Sequence, residues 1–218
     1  MWVYDPRRVA WADLEDYFYQ LDVHESQLHL VLQLPGFGML SALAILAAIG
    51  DITRFPDAKH LVGYAGLGAR IHDSGLTTRS GKITKAGRKD LRAALVEAAQ
   101  VAANFHPFWK AELARLEPRL GRNKAIVAIA RRLLVAVWHV LSKQTVDCHA
   151  EPEHLARKFI QVAHSIGKHS RPEGQTAVAF ARQQLDRLHY GQHLTHVRWG
   201  SKKPPLTLPP SSLLSKTD

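Results

Sequence analysis

The stretch Leu34–Gly50, LPGFGMLSALAILAAIG, decides how this chain is read. Pro35 and Gly36 stop any helix arriving from the N-terminal side, and Gly36 and Gly38 flank Phe37 so that a tight turn with unusual backbone angles is allowed. From Met39 to Ile49 the residues are almost all Ala, Leu and Ile, which predicts a helix, with Gly50 where a C-terminal cap belongs. Ahead of the turn, Leu14, Phe18, Leu21, Leu28 and Leu32 recur mostly at helical spacings and predict a helix over 13–33.

Two helices joined by such a turn, with the small Ala42 where they would approach, form a helix-hairpin-helix pattern. The opening amides of the second helix lack intrahelical partners and, with the helix dipole, favour an anion. Gly36 and Gly38 are therefore candidate contacts for a phosphate. A plain pair of helices with no ligand is the alternative.

Outward from this turn, Asp57 is a candidate N-cap for a short helix over 58–64. The four glycines within 66–81 predict an irregular or hairpin-like excursion. Thr84 is expected to cap a helix running to Ala103 with Leu91, Leu95, Ala98 and Ala102 on one face, and Pro107 ends it. A further helix is expected over 123–141, built on Ile126, Ile129, Leu133, Val137 and Val140, with weaker ones over 152–166 and 177–189. The class is mainly α, with a Gly-rich loop or β-hairpin insertion. The organisation expected is a helical connector over 1–33, a central domain over 34–145, a helical extension over 146–200 and a flexible Pro-rich tail over 201–218.

With 29 Lys and Arg against 19 Asp and Glu, the chain carries +10, and its isoelectric point is near 9.9. A basic chain of this size suits nucleic acid, because neutralising phosphates releases counterions. Gly and Pro break the apolar run 28–50 well short of the roughly 20 residues a membrane span requires, so a membrane partner is not expected. No signal peptide is visible after Met1. The single Cys148 excludes an internal disulfide and fits a reducing cytoplasm.

The charge is concentrated in GLGARIHDSGLTTRSGKITKAGRKDLRAAL, residues 66–95. Arg70, Arg79, Lys82, Lys85, Arg88, Lys89 and Arg92 face only Asp73 and Asp90, with Ser74, Thr77, Thr78, Ser80 and Thr84 interleaved. Guanidinium, ammonium, hydroxyl and backbone amide together can hold a phosphate backbone. Arg70, Arg79, Lys82, Lys85, Arg88 and Lys89 join Gly36 and Gly38 as candidate DNA contacts. Arg131 and Arg132, with Arg119, Arg122, Lys124 and Lys143 around them, form a second basic stretch that fits a nucleic-acid backbone or a solvated face equally well.

The order LPGFG, Ala-rich helix, IGD, RFPDAKHLVGYAGL, HDSG and GKITKAGRKDLRAALVEAA resembles the C-terminal domain of insertion sequence 110 / 116 / 902 family transposases, nearly continuously over 34–99 and more loosely to 141. The resemblance implies a prokaryotic, cytoplasmic, nucleoid-associated DNA recombinase. It implies DNA, a structured guide RNA and further copies of itself as partners. It also implies a serine nucleophile, which at the matching position is Ser74, with Ser80 of the second Ser-Gly pair in reserve. Such a serine would attack a DNA phosphodiester once a base, metal or cationic surround activates it, and Arg70, Arg79 and Lys82 could offset the developing charge. The family also carries an N-terminal RuvC-like domain whose four acids (DEDD) hold divalent metal. About thirty residues precede Leu34, too few for that domain, and Asp13, Glu15, Asp16, Asp22 and Glu25 read as a solvated helix face. The expectation is a truncated or partner-dependent form, with no metal site or cofactor in this chain and Mg2+ in the missing domain, supplied in trans.

The histidines show no HExxH or Cys-His spacing. His72, two residues before Ser74, is a candidate proton shuttle or a plain loop residue. Phe105, Phe108 and Trp109 are read as core. Two other functions remain open on the residues alone: a non-catalytic nucleic-acid-binding module and an oligomerisation remnant.

Overall fold

The computed structural model describes residues 25–74, 77–165, 175–200 and 204–214. It is mainly helical, and the chain divides into two compact units, one of Leu34–His149 and one of Met1–Gln33 together with Ala150–Asp218. In chain order the helices are α1 (Glu25–Leu32), α2 (Met39–Ile49), α3 (Ala58–Tyr64), α4 (Lys89–Phe105), α5 (Pro107–Leu120), α6 (Arg122–Lys143), α7 (Pro152–Ser165) and α8 (Ala177–Arg187). Strands β1 (Ala69–Ser74) and β2 (Thr77–Ile83) form an antiparallel hairpin between α3 and α4, and β3 (His196–Val197) pairs with β4 (Leu206–Thr207). Of the helix expected over 13–33, residues 13–24 lie outside the described residues.

In the unit Leu34–His149, α2 is apolar nearly all round and buries Ala42, Leu43, Ile45, Leu46, Ala48 and Ile49. Gly50 ends it at φ +61, its N–H donating to the Leu46 carbonyl at 2.8 Å. Asp51 then accepts from the Thr53 amide and starts a single 3-10 turn, Ile52–Arg54. Asp57 caps α3 as expected, accepting from the His60 amide at 2.9 Å. The core of the unit is α6, whose Ile126, Ile129, Leu133, Leu134 and Val137 are buried among α3, α4 and α5. Its 22 residues are long and apolar enough to cross a membrane by composition, but half of that apolar window is packed inside this unit, as in a core helix of a globular domain. Trp138 closes one side by donating from Nε1 to the Phe55 carbonyl at 2.9 Å.

Two helix expectations change here. The helix assigned to begin at Thr84 begins at Lys89. The Thr84 amide donates instead to the Gly68 carbonyl (2.8 Å) and the Lys85 amide to the Gly66 carbonyl (3.1 Å), extending the pairing of the hairpin beyond its strands, and Lys85 at φ +55 cannot sit in a right-handed helix. Pro107 does end α4, yet it also occupies the first turn of α5, where its missing N–H costs nothing. Helix α5 is therefore an addition to the sequence reading.

In the other unit, α1 buries Leu28, Leu30, Val31, Leu32 and His29, and the His29 ring meets Phe159 of α7 edge-on at 5.3 Å. Lys158 donates to the Leu32 carbonyl at 2.7 Å, joining α1 to α7, and burial of its amine lowers its pKa to about 7. Helices α7 and α8 pack on each other. Residues 204–214, expected within a flexible tail, are held in place: β4 pairs with β3, Leu208 and Ser211 are buried, and the Leu208 amide donates to the Thr195 carbonyl at 2.8 Å.

Burial, with a smaller push from Arg187, lowers the pKa of His29 to about 4 from its ordinary value near 6.5. The charged imidazole is the form the fold rejects, so the unfolded chain binds the proton more tightly. Stability should be unaffected above pH 6.5, fall as the pH drops from 6.5 towards 4, and level off below that. The loss at pH 4 is about 3 kcal/mol. Hydrogen-exchange protection of α1 and α7 measured at pH 7 and pH 4.5 checks this: it should decline in the native chain and change much less in His29→Gln.

Candidate nucleic-acid interface

The hairpin is held at its base by a backbone strap. Besides the Thr84 and Lys85 bonds, the Arg88 amide donates to the Tyr64 carbonyl at 3.0 Å. Two glycines make the approach possible. Gly66 sits at φ +67, and a Cβ on Gly87 would lie 2.3 Å from the Tyr64 carbonyl oxygen. The Arg92 guanidinium, reaching back from α4, donates to the Ala65 carbonyl at 3.0 Å and the Lys85 carbonyl at 3.5 Å, so one side chain binds both feet of the hairpin.

Within the hairpin the pairs are Ser74 with Thr77, Asp73 with Thr78, His72 with Arg79 and Ile71 with Ser80, and an irregularity separates these from the pair Ala69 with Ile83. Residues 75 and 76, joining the strands, lie outside the described residues. Ser74 thus occupies the last rung before the turn. Arg79 is two rungs away, about 7 Å at a strand's rise per residue. Arg70 and Lys82 belong to the base of the ribbon, about 13 Å from Ser74. Ser80 stands three rungs from Ser74. Of the cations expected near the serine, register places Arg79 two rungs away and Arg70 and Lys82 at the far end; His72 is the strand partner of Arg79.

Below the hairpin, Lys85, Arg88 and Lys89 are exposed. Arg88 is engaged within the protein: Nη2 and Nε meet the two oxygens of Asp90 at 2.6 and 3.1 Å, and Nη1 donates to the Tyr64 hydroxyl at 3.4 Å. The Arg88 hydrogen bonds hold the Asp90 carboxyl down at about 2, and the same contact holds the Arg88 guanidinium above its usual value. Tyr64 in turn donates to the Ala48 carbonyl at 3.2 Å, tying the site to α2. A cleft of about 590 Å³ opens beside Lys89, lined by Ile83, Arg92, Val96, Gln100 and Val127 among others.

Gly36 and Gly38, expected to contact phosphate, differ. Gly36 at φ +85 lies against α4, where a Cβ would fall 2.1 Å from the Ala98 carbonyl oxygen and 3.0 Å from the Ala102 Cβ. Its lack of a side chain serves helix packing. Gly38 is exposed with open space around it; its N–H donates to the Ser41 hydroxyl at 2.9 Å, and that hydroxyl donates to the Gly38 carbonyl at 3.1 Å. The second basic stretch is partly neutralised: Glu112 accepts from Arg115 at 2.8 Å and from Arg132, and the Arg115 hydrogen bond foremost lowers its pKa. Among the described residues no group of three or more His, Cys, Asp and Glu is arranged to hold a metal ion.

Two features escaped the sequence reading. Tyr64 links α2 to Arg88, and nothing in its spacing marks it. Phe105, read as core, is 81% exposed, and Phe108 is 37% exposed, whereas Trp109 is buried. Phe105 continues the buried stripe of Ala98 and Ala102, but α4 ends there and the stripe has run past its partners.

Residues 28–114 match the family described as Transposase IS116/IS110/IS902 family. They form a domain of that transposase family. The matched segment begins in α1, contains the glycine turn, the strap and the hairpin, and ends within α5. A pilin gene-inverting protein of Moraxella bovis is 37% identical over 116 residues, covering 51% of this chain and 36% of that protein. The transposase for insertion sequence element IS1111A of Coxiella burnetii is 33% identical over 128 residues, covering 55% of this chain and 34% of its own length. An insertion element IS900 protein of Mycobacterium paratuberculosis is 33% identical over 121 residues. The chain matches about a third of the length of these relatives.

Proposed function

We propose that this chain is the DNA-handling part of an insertion-sequence transposase, with Ser74 as the nucleophile for strand cleavage and rejoining. The observation that carries the reading is the register of the hairpin: a serine at the turn end of a two-stranded ribbon, with Arg79 two rungs behind it, inside a transposase-family domain. A ribbon of this width suits the major groove or the backbone of a duplex. In the step proposed, the Ser74 hydroxyl oxygen bonds to phosphorus, one P–O bond to the sugar breaks, the departing oxygen is protonated, and a base takes the serine proton. Rejoining reverses it. Arg79 would face the reacting phosphate, while Lys85, Lys89, Arg70 and Lys82 would hold flanking phosphates and steer association. The glycine turn enters through the opening backbone amides of α2 rather than through Gly36.

Divalent metal, Mg2+ by the family resemblance, is assigned to a RuvC-like domain outside the described residues, acting in trans. Guide RNA and further copies of the chain are its other proposed partners, and the prokaryotic cytoplasm its proposed location.

The test is a covalent adduct on labelled element-end DNA, formed with Mg2+ and a RuvC-like polypeptide added. The adduct should form with the native chain and with Ser80→Ala, and fall by roughly a thousandfold or more in Ser74→Ala. An adduct that survives Ser74→Ala sinks the assignment. A second reading is a non-catalytic binding module that uses the exposed cations Lys85, Arg88 and Lys89. That module would show strongly salt-dependent DNA binding and no adduct under any of these conditions.

A further inference from the structure

The corner between α4 and α5 carries an aromatic surface that the hairpin chemistry does not use. Phe105, the last residue of α4, is 81% exposed. Phe108, on the first turn of α5, stacks on His149 with ring centroids 3.8 Å apart and planes 20° apart, and keeps 37% of its surface open. Trp109 backs the pair, edge-on to Phe108 at 5.0 Å, and the His106 ring nitrogen Nε2 lies 3.2 Å from the His149 carbonyl oxygen, which ties the far end of the unit to this corner. Phe108 is therefore held from behind by Trp109 and His149, and Phe105, three residues before it, stands open to solvent.

The sequence around it is cationic. Arg122 reaches Asn104, the neighbour of Phe105, at 3.4 Å, and Lys110, Arg119 and Lys124 are exposed nearby in sequence. Over residues 104–124 five Lys and Arg stand against two Glu. Of those acids, Glu112 is held by Arg115 and Arg132, and Glu117 lies 3.8 Å from Arg122. Planar rings flanked by long cations are the chemistry that unpaired bases and their phosphates require. A docked apolar helix would want a broad aliphatic surface, and the exposed large hydrophobics of α4 include one aliphatic residue, Val101.

We propose that Phe105 and the Phe108–His149 stack form a platform for the unpaired bases of a single-stranded nucleic acid, whose phosphates are taken by Arg122 and Lys110. This rests on the reading of the chain as nucleic-acid-handling. It adds a second binding surface, distinct from the hairpin, that takes strands rather than duplex.

The test uses the intact chain with labelled oligothymidylate and a duplex of equal length at low salt. Phe105→Ala should weaken oligothymidylate binding about tenfold, the scale of one base–aromatic stack, and leave duplex binding within about twofold. Phe105→Tyr should keep both. Because Phe105 is so exposed, the melting temperature should not move. Unchanged oligothymidylate affinity in Phe105→Ala, or an equal loss on duplex, overturns the platform. So does a native chain that binds duplex but no oligothymidylate, and so does a variant that loses only self-association, which would make the corner a protein-docking face. Failure of the native chain to bind either nucleic acid overturns the broader reading as well.

Discussion

Gly36→Ala is expected to destabilise the unit Leu34–His149 by about 3 kcal/mol or more, because two costs fall on one residue. A Cβ at Gly36 would lie 2.1 Å from the Ala98 carbonyl oxygen, which belongs to the backbone of α4 and cannot swing aside, and 3.0 Å from the Ala102 Cβ. The φ of +85 adds the penalty of a left-handed backbone for any residue with a side chain. Relief would require α4 to retreat from the turn, opening space beside Leu95, Ala98 and Ala102, all buried. Gly38→Ala is the control. Its φ of −99 is ordinary and a Cβ there meets nothing within 4 Å, so its cost should stay below about 1 kcal/mol. Denaturant unfolding followed by hydrogen exchange of α2 and α4 separates the two. A Gly36→Ala chain with an unchanged midpoint and weakened DNA binding would return Gly36 to the phosphate role that its place in the motif first suggests.

That pair shows where the sequence is informative and where it falls silent. The turn at 34–38, the apolar run of α2, the Asp57 cap and the long stripe of α6 could be read directly, because each is set by residues near in the chain. The hairpin could be expected as a Gly-rich loop or β-hairpin, but its register could not. Its register comes from the strap between 64–68 and 84–88, and that strap moved the start of α4 from Thr84 to Lys89. Helix α5 was hidden because a proline reads equally well as a stop and as a first turn. The charges of residues 66–95 were plain in composition, but their roles were not. Arg92 serves the strap, Arg88 is bound to Asp90 and Tyr64, and Arg79 is the cation two rungs from Ser74. Which cations are spent inside the protein depends on carbonyls and carboxylates that come together only in the folded chain.

The same spending decides the second large effect, in the other unit. Arg182→Ala is expected to destabilise that unit by about 3–5 kcal/mol. Arg182 and Asp186, one turn apart on α8, are both buried, and together they hold the segment 204–214. From Arg182, Nε donates to the Pro209 carbonyl at 2.8 Å, Nη1 to the Gly191 carbonyl at 3.0 Å, and Nη2 to the Leu194 carbonyl. Asp186 accepts from the Ser211 hydroxyl at 2.7 Å and from the Ser212 amide and hydroxyl at 2.9 Å. A buried cation is costly to desolvate, so what matters is that each of the three guanidinium nitrogens donates to a backbone carbonyl. Truncation leaves those carbonyls unsatisfied and the Asp186 carboxylate without its nearest cation. Arg182→Lys should recover only part of the loss, since one ammonium cannot span three carbonyls set by a planar fork. Amide exchange reports this directly: the Leu208 and Ser212 amides should lose protection in Arg182→Ala while α4 and α6 keep theirs. Equal protection of Leu208 in the native and Arg182→Ala chains would mean that the β3–β4 pair, with Leu208 buried beside it, holds the segment without the guanidinium.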